Sequence, residues 1–189
     1  MEKLNGGWIE LIIGPMFSGK TEELMMRLRR ALIAKQQVLV FKPIIDNRYS
    51  VNSVTSHNQL QFEATPIATA GQILEQIASL KSKIDIIGID EAQFFSDDLI
   101  GVCETLANQG YRVIVSGLDS DYRKEPFGPI PRLAVIAEFV IKKQAICFNC
   151  GELASFTKRI SGGQEQVEVG GTEKYQASCR RCFNLEIPH

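Results

Sequence analysis

The segment GPMFSGKT, from Gly14 to Thr21, has the residue types and the spacing of a phosphate-binding loop. It fits the pattern G-x-x-x-x-G-K-[ST], in which glycines allow backbone N–H groups to converge on phosphate oxygens. The pattern predicts that Lys20 reaches the terminal phosphates of a nucleotide and that the Thr21 hydroxyl ligates Mg²⁺. A glycine turn without a ligand is the alternative, which the strand and helix predicted on either side disfavour. The predicted nucleotide site comprises Gly14, Pro15, Met16, Phe17, Ser18, Gly19, Lys20 and Thr21.

A pair of carboxylates follows a buried apolar segment in IDIIGIDEAQFF. Asp90 could hold the metal through water, and Glu91 could take a proton from, or orient, the group that attacks the γ-phosphorus. We also assign Gln93 to the ATP and Mg²⁺ site. A solvated acidic strand end is the alternative. Helicases, hydrolytic ATPases and small-molecule kinases all use such a pair, so these two motifs leave the reaction open.

Four of the five cysteines form two C-x-x-C pairs near the end of the sequence. In a reducing compartment such pairs indicate a metal site rather than disulfides. Four thiolates complete the tetrahedral coordination of zinc and leave no open position, so we predict a structural site, with a redox pair as the alternative. The fifth cysteine, Cys103, is predicted to be buried on an amphipathic helix. The predicted zinc ligands are Cys147, Cys150, Cys179 and Cys182.

The two cysteine pairs enclose a long loop, because 28 residues separate Cys150 from Cys179. This spacing exceeds the roughly 15 to 20 residues of a compact zinc ribbon. Two glycine pairs flank the strand-like QVEV segment, and Tyr175 lies near the return of the loop. One interpretation is an ordinary zinc-bound hairpin. The other is a loop that covers a small ligand and excludes water, as a kinase needs to limit the hydrolysis of ATP.

The elements that must position these residues alternate between strands and helices, which predicts an α/β fold with a mostly parallel sheet flanked by helices. In the first predicted helix, Leu24, Leu28 and Leu32 form the stripe expected to pack on the sheet. The predicted strands are WIELII, VLVF (Val38 to Phe41), IDIIGI (Ile84 to Ile89) and RVIVSGL, and the other predicted helices are GQILEQIASLKS and DDLIGVCETLANQG, the latter closed by Gly110.

The composition changes after about Lys143, where strand–helix alternation gives way to cysteine and glycine pairs. We therefore expect two domains, an ATP-binding α/β domain at residues 1–142 and a small zinc-binding domain at residues 143–189.

The overall composition favours a globular protein with a small-molecule partner. Hydrophobic residues make up 44% of the chain, and 21 Lys and Arg residues against 22 Asp and Glu residues give a formal net charge of −1. This balance gives no electrostatic reason to expect a nucleic acid as partner. Since neither an export signal nor a run of about 18 apolar residues is present, we expect a cytoplasmic protein without membrane association.

The motifs together resemble the type II thymidine kinases, the zinc-containing cytosolic type. The resemblance is carried by GPMFSGKT, FKPIIDNRYS, IGIDEAQFF, GLDSDYRKEPFG, the two C-x-x-C pairs and TKR...VEVGG..KY, which occur in the family order. It implies a P-loop NTPase-like domain, a zinc-binding domain with a lasso-like loop over the nucleoside site, and a salvage transferase for DNA synthesis. The implied reaction transfers the γ-phosphoryl of Mg-ATP to the 5′-hydroxyl of thymidine, giving dTMP and ADP.

The resemblance also implies roles for particular residues. Glu91 would be the catalytic base and Asp90 the metal partner, while Asp46 and Arg48 match positions near the transfer site, where Arg48 could neutralise charge on the moving phosphoryl. The family further implies a homotetramer and feedback inhibition by dTTP. The positions that match the nucleoside pocket, besides Asp46, are Met16, Phe94, Leu118, Tyr122, Phe127, Thr157, Val167, Val169 and Tyr175.

Two other functions are compatible with the phosphate-loop motif. A P-loop ATPase with a zinc module acting on nucleic acid would show ATP hydrolysis stimulated by DNA or RNA. A regulatory module without catalysis would bind ATP and yield no phosphorylated nucleoside. The charge balance disfavours the first, and the presence of Lys20, Asp90 and Glu91 disfavours the second.

Overall fold

Six parallel strands form one sheet, and helices pack on both of its faces. The computed structural model of the protein describes residues 6–44 and 62–184. In space the strands follow the order β3-β2-β4-β5-β1-β6, and each neighbouring pair is parallel. The predicted α/β fold is therefore confirmed. The strands are β1 (Trp8–Ile13), β2 (Val38–Pro43), β3 (Ala64–Ile67), β4 (Ile86–Ile89), β5 (Arg112–Gly117) and β6 (Phe139–Lys142).

Within residues 6–44 and 62–184, four helices form the two layers around the sheet. One core cluster lies under α1, and a second, larger cluster includes residues of α2, α3 and α4. Both clusters also contain residues of the sheet, since a parallel sheet buries both faces. Among the described residues no helix is long and apolar enough to cross a membrane. The helices are α1 (Lys20–Ile33), α2 (Gly71–Ser79), α3 (Asp98–Asn108) and α4 (Ile130–Ile136).

The predicted apolar stripe of α1 is right in its first two positions and wrong in the third. Leu24 and Leu28 are fully buried, but Leu32 is 49% exposed. A step of four residues turns a helix by about 400°, so two such steps carry a side chain about 80° away from the starting line. Ala31, seven residues after Leu24, returns to that line and is buried instead.

The strand β4 brings the acidic pair to the carboxyl edge of the sheet. All four of its residues are buried, as expected for a strand covered on both faces. Its Gly88 lies so close to α1 that an added Cβ would be 3.1 Å from Cδ1 of Leu28. The strand is shorter than predicted, since it begins at Ile86 rather than Ile84. Asp90, directly after β4, thus lies at the same edge of the sheet as Gly14, directly after β1.

The helix α3 carries Cys103 on its buried side, which confirms its predicted placement. Burial raises the pKa of the Cys103 thiol to about 12, so it stays protonated at neutral pH. Gly110 follows the helix with φ of 92°, the left-handed conformation that commonly ends helices.

Beyond the large sheet the chain forms two small antiparallel ladders. The segment QVEV is not a strand, so that prediction is wrong, and residues 160–174 form a loop between β9 and β10. The division into domains at residue 142 stays a prediction, although the last strand of the large sheet ends there. The remaining elements are β7 (Ala145–Ile146), β8 (Leu153–Ala154), β9 (Phe156–Arg159), β10 (Tyr175–Ser178) and the short helix α5 (Arg180–Phe183).

A buried carboxylate, Glu10, lies in the middle of β1 and ties the sheet to α1. Its side chain is 7% exposed and pairs with two arginines. Arg112 donates from Nε to Oε1 at 2.6 Å, Arg27 donates from Nη1 to Oε2, and the Trp8 indole donates to Oε1 at 2.8 Å. Burial alone would raise the pKa of Glu10, but these donors outweigh it and hold the pKa below its ordinary value.

We expect Glu10→Gln to lower the free energy of unfolding by about 3 kcal/mol at pH 7, because two arginines lose their charged partner. Since the folded-state pKa of Glu10 lies below 4.5, its contribution is present above that value and is lost as the pH falls through the lowered pKa. Urea unfolding at several pH values measures the difference from wild type, which should shrink below about pH 5. The exposed residue Glu104 supplies the control Glu104→Gln, and a difference independent of pH would contradict the interpretation.

Candidate active site

The phosphate-loop motif forms the turn between β1 and α1. Gly14 has φ of 144°, and an added Cβ would lie 2.4 Å from the carbonyl oxygen of Lys143, so only glycine fits. The Ser18 hydroxyl donates to the carbonyl of Pro15 at 2.8 Å. The N-cap residue of α1 is Gly19, which has no side chain to cap the first turn of the helix. Its N–H groups therefore remain available for an anion, as the motif predicts.

Lys20 and Thr21 open α1 and face the acidic pair. Lys20 donates from Nζ to the carbonyl oxygen of Pro15 at 2.7 Å, and the Thr21 hydroxyl donates to Oδ2 of Asp90 at 3.0 Å. Burial lowers the pKa of Lys20, while the nearby carboxylates of Glu91 and Asp90 oppose that shift. The ammonium group thus lies beside two carboxylates at the edge of the sheet.

Asp90 is held in one orientation by its surroundings. Its Oδ1 accepts from the backbone N–H of Glu91 at 3.0 Å and from the hydroxyl of Ser116 on β5. The Thr21 hydroxyl and the Asp90 carboxylate are both hard oxygen groups of the kind that Mg²⁺ binds, so this donor set fits the metal.

Glu91 has an unusual backbone and a perturbed carboxylate. Its φ is 52°, a left-handed conformation that is uncommon outside glycine and often marks functional sites. Burial, and then the charge of Asp90, raises the pKa of Glu91, while Gln93 and Lys20 oppose the shift. The Gln93 amide donates to Oε2 of Glu91 at 2.6 Å and accepts from the backbone N–H of Leu118 at 3.0 Å. Gln93, which we assigned to the ATP and Mg²⁺ site, therefore uses both ends of its amide within the protein.

A cavity of about 350 Å³ opens between these residues and the chain beyond β8. All nine described members of the predicted nucleoside pocket line it, together with Lys20, Glu91 and Gln93. Asp46 and Arg48, the other predicted members of the site, lie outside the described residues. The nine are Met16, Phe94, Leu118, Tyr122, Phe127, Thr157, Val167, Val169 and Tyr175.

The walls of the cavity combine aromatic rings with one polar link. Phe94 and Phe127 meet edge to face with their ring centroids 5.6 Å apart. The Thr157 hydroxyl, on β9, accepts from the backbone N–H of Met16 at 2.9 Å. This bond joins the phosphate loop directly to the segment between the two cysteine pairs.

Residues 160–174, which we call the lid loop, form the outer wall of the cavity. Val167 and Val169 line the cavity from the lid loop. The loop is fastened to the segment after β5, because the Tyr122 hydroxyl donates to the carbonyl of Gln164 at 2.9 Å and the Gln166 amide donates to Asp121 at 3.1 Å. This placement agrees with a covering loop rather than with a separate hairpin.

Some residues at the cavity escaped prediction. A signal existed for most of them, since they neighbour predicted members within the GLDSDYR and QVEVGG segments. For Arg159, which bonds to the lid loop without lining the cavity, the sequence offered only its place in the TKR motif. The unpredicted lining residues are Ser120, Asp121, Gln166, Glu168 and Gly170.

The four predicted zinc ligands come together at the base of the segment that carries the lid loop. Their sulfur atoms all lie within 4.8 Å of one another, and the Sγ atoms of Cys150 and Cys179 are 3.7 Å apart. A zinc tetrahedron with bonds of about 2.3 Å separates its sulfurs by about 3.8 Å, whereas a disulfide bond measures about 2.05 Å. The donor set and its spacing therefore fit zinc.

Comparisons with known proteins agree with the motifs. A family model described as thymidine kinase matches residues 7–183. A thymidine kinase of Bacteroides thetaiotaomicron is 51% identical over 177 residues, which cover 94% of this chain and 87% of that protein. Among solved structures, domain III of the Thermotoga maritima replication initiation protein DnaA aligns with a TM-score of 0.43 and 16% identity, over 75% of this chain and 57% of that one, a likeness too distant to carry an argument. The family model and the Bacteroides relative confirm the resemblance read from the sequence, and the chain belongs to the thymidine kinase family.

Proposed function

We propose that the protein transfers the γ-phosphoryl of ATP to the 5′-hydroxyl of thymidine, giving dTMP and ADP. The observation that carries this proposal is the cavity in which Lys20 and Glu91 meet aromatic and aliphatic walls. Its volume of about 350 Å³ is in the range of small-ligand sites. The kinase relative from Bacteroides supports thymidine as the nucleoside.

ATP binds with its phosphates at the loop from Gly14 to Thr21, in a P-loop NTPase-like domain at residues 1–142. The uncapped N–H groups of α1 and the Lys20 ammonium receive the phosphate charge. Thr21 and Asp90 would hold Mg²⁺, which shields the charge of the β- and γ-phosphates when bound. Lys20 leaves the Pro15 carbonyl to contact the terminal phosphate.

Glu91 acts as the base that accepts the proton of the 5′-hydroxyl. Gln93 occupies its Oε2, and among the described residues no group donates to Oε1, so one oxygen remains for the substrate. The raised pKa of Glu91 brings the base closer to neutral pH, where proton transfer is more effective. By resemblance to the family, Asp46 contacts the nucleoside near the transfer site, and Arg48 neutralises charge on the moving phosphoryl.

The small domain at residues 143–189 holds a structural zinc and covers the nucleoside. Zinc bound by the four cysteines fixes the two ends of the segment that carries the lid loop. The lid loop presents Val167 and Val169 to the cavity and excludes water from the reacting phosphoryl. The base of thymidine lies against the pocket residues, including Met16, Phe94 and Thr157.

Further properties follow from membership of the family and form part of the proposal. We expect a homotetramer in the cytoplasm that is inhibited by dTTP. Sedimentation measurements test the assembly, and a titration of the kinase reaction with dTTP tests the inhibition.

A panel of nucleosides with labelled ATP tests the proposed activity. We expect thymidine to give dTMP, deoxyuridine to react with an efficiency lower by roughly 10- to 200-fold because it lacks one methyl group, and purine nucleosides to give no product. Product identity is read by chromatography and mass spectrometry. Parallel reactions with DNA and RNA test the rival ATPase, because hydrolysis stimulated by a nucleic acid without any phosphorylated nucleoside would refute the kinase.

A further inference from the structure

We propose that Arg159 is the positioning residue that holds the lid loop in the shape that closes the nucleoside cavity. The inference rests on the proposed function and adds to it a residue that does not itself contact the substrate. Arg159 is the last residue of β9, directly before the lid loop begins. Its side chain turns back under the loop and is only 5% exposed.

The guanidinium group of Arg159 bonds to the backbone of the lid loop at three positions. Its Nη1 donates to the carbonyl oxygens of Gly163 at 2.9 Å and Glu165 at 2.7 Å, and its Nη2 donates to that of Gln166 at 3.3 Å. The loop thus wraps around one planar cation. Only the buried Nε has no hydrogen-bond partner among the described residues.

The rings of two tyrosines that line the cavity also contact the guanidinium group of Arg159. Its Cζ lies 3.7 Å from the ring centroid of Tyr122 and 5.2 Å from that of Tyr175. Nη2 also donates to the Tyr175 hydroxyl at 2.8 Å, and this hydroxyl donates to the carbonyl of Glu168 at 2.6 Å. Arg159 therefore links the tip of the loop to two residues that line the cavity.

The lid loop depends on these contacts because its own backbone pairs mainly near its base. Ile160 donates to the carbonyl of Lys174 at 2.8 Å, and the turn before β10 is closed by bonds to the carbonyl of Gly171. At the tip the carbonyls instead accept from the side chains of Arg159, Tyr122, Arg123 and Tyr175. The Glu168 carboxylate accepts from the backbone N–H of Gly163 at 2.8 Å. Val167 lies between the carbonyls of Gln166 and Glu168, so its position in the cavity follows from theirs.

The contacts require arginine rather than a positive charge alone. Arginine offers several donors in one plane and a flat face that stacks on aromatic rings, whereas lysine is a compact point charge. Lysine at position 159 could not serve three carbonyls and two tyrosine rings from the same place.

Kinetics of Arg159→Ala test the role. We expect the KM for thymidine to rise roughly 10- to 100-fold, because several charge-assisted hydrogen bonds are lost, while the KM for ATP and the zinc content stay as in wild type. Arg159→Lys should resemble Arg159→Ala. The matched control is Arg180→Ala, which removes an arginine stacked on Phe156 outside the lid loop and should leave both KM values unchanged.

Chemical rescue separates positioning from a general loss of structure. Methylguanidinium at millimolar concentration should lower the thymidine KM of Arg159→Ala, and methylammonium should not. Equal rises of both KM values, or a thymidine KM at the wild-type level in Arg159→Lys, would overturn the proposal. Arg159→Lys keeps the positive charge and most of the aliphatic part of the side chain. Its thymidine KM therefore tests the proposal even if the alanine variant does not fold.

Limited proteolysis tests the role of Arg159 independently of the kinase proposal, because it measures the exposure of the lid loop and not the reaction. Endoproteinase Glu-C should cut after the exposed Glu165 at the tip of the lid loop much faster in Arg159→Lys than in wild type, as mass spectrometry of the fragments would show. If the wild type makes no dTMP, the kinase proposal fails, and the protection of the bond after Glu165 still decides the role of Arg159. Equal cutting rates in the two proteins would refute that role.

Discussion

Replacing Glu91 by glutamine is expected to lower turnover by about 100-fold or more, with binding of ATP and thymidine largely retained. Glutamine keeps the size of the side chain and can still bond to Gln93, but it cannot accept the proton of the 5′-hydroxyl. The left-handed backbone at this position comes from the protein around it and should persist in the variant. Single-turnover kinetics measure the chemical step, and titration calorimetry measures both ligands.

The control for this variant is Glu125→Gln, which neutralises an exposed carboxylate near the cavity. It should turn over at the wild-type rate. Comparable turnover in Glu91→Gln would remove Glu91 from the role of base. A loss of thymidine binding that matched the loss of rate would instead make Glu91 a binding residue.

Replacing Cys147 by serine is expected to release zinc and to weaken thymidine binding by at least about 10-fold, with a smaller effect on ATP. A structural zinc site loses its tetrahedral closure when one thiolate is removed. The cysteine cluster lies at the base of the segment that carries the lid loop and Thr157, whereas the phosphate loop is built on β1 and α1. Zinc content by mass spectrometry and calorimetry with each ligand test the expectation.

Cys103→Ala is the matched control, because Cys103 is buried in α3 and is not part of the cluster. It should keep its zinc and both affinities. Equal loss of both ligands in Cys147→Ser, with loss of cooperative unfolding, would show that zinc maintains the whole fold rather than the covering segment.

Loss of zinc and loss of the Arg159 side chain are expected to affect the lid loop in different ways. We expect zinc at the four cysteines to fix the segment that carries the lid loop, and Arg159 to fix the tip of the loop. Loss of zinc should not respond to methylguanidinium, whereas loss of the Arg159 side chain should. The two variants thus distinguish the placement of the loop from its internal shape.

Local motifs could be predicted from the sequence because their function depends on residues close together in the chain. The phosphate loop, the Asp90–Glu91 pair and the two C-x-x-C pairs are of this kind, and the structure brings them to one edge of the sheet and one cluster. The strands β3 and β6 and the helix α4 went unpredicted. They are short, with four to seven residues each, and offer little periodicity.

Contacts made by backbone atoms could not be predicted from the sequence. The role of Arg159 depends on the direction of three carbonyls, and any residue type supplies a carbonyl. The pairing of Gln93 with Glu91 depends on the left-handed backbone conformation of Glu91, which could not be predicted from the sequence. The strand predicted for QVEV failed for a related reason, since these residues bond to side chains instead of to a neighbouring strand.

The hydrogen bond from the Met16 backbone to the Thr157 hydroxyl is expected to couple the binding of the two substrates. The Met16 N–H belongs to the phosphate loop, and Thr157 lines the nucleoside cavity, so each binding site contains one end of this bond. By thermodynamic linkage, any gain in affinity that ATP confers on thymidine equals the gain that thymidine confers on ATP. We therefore expect each substrate to bind more tightly when the other is already bound.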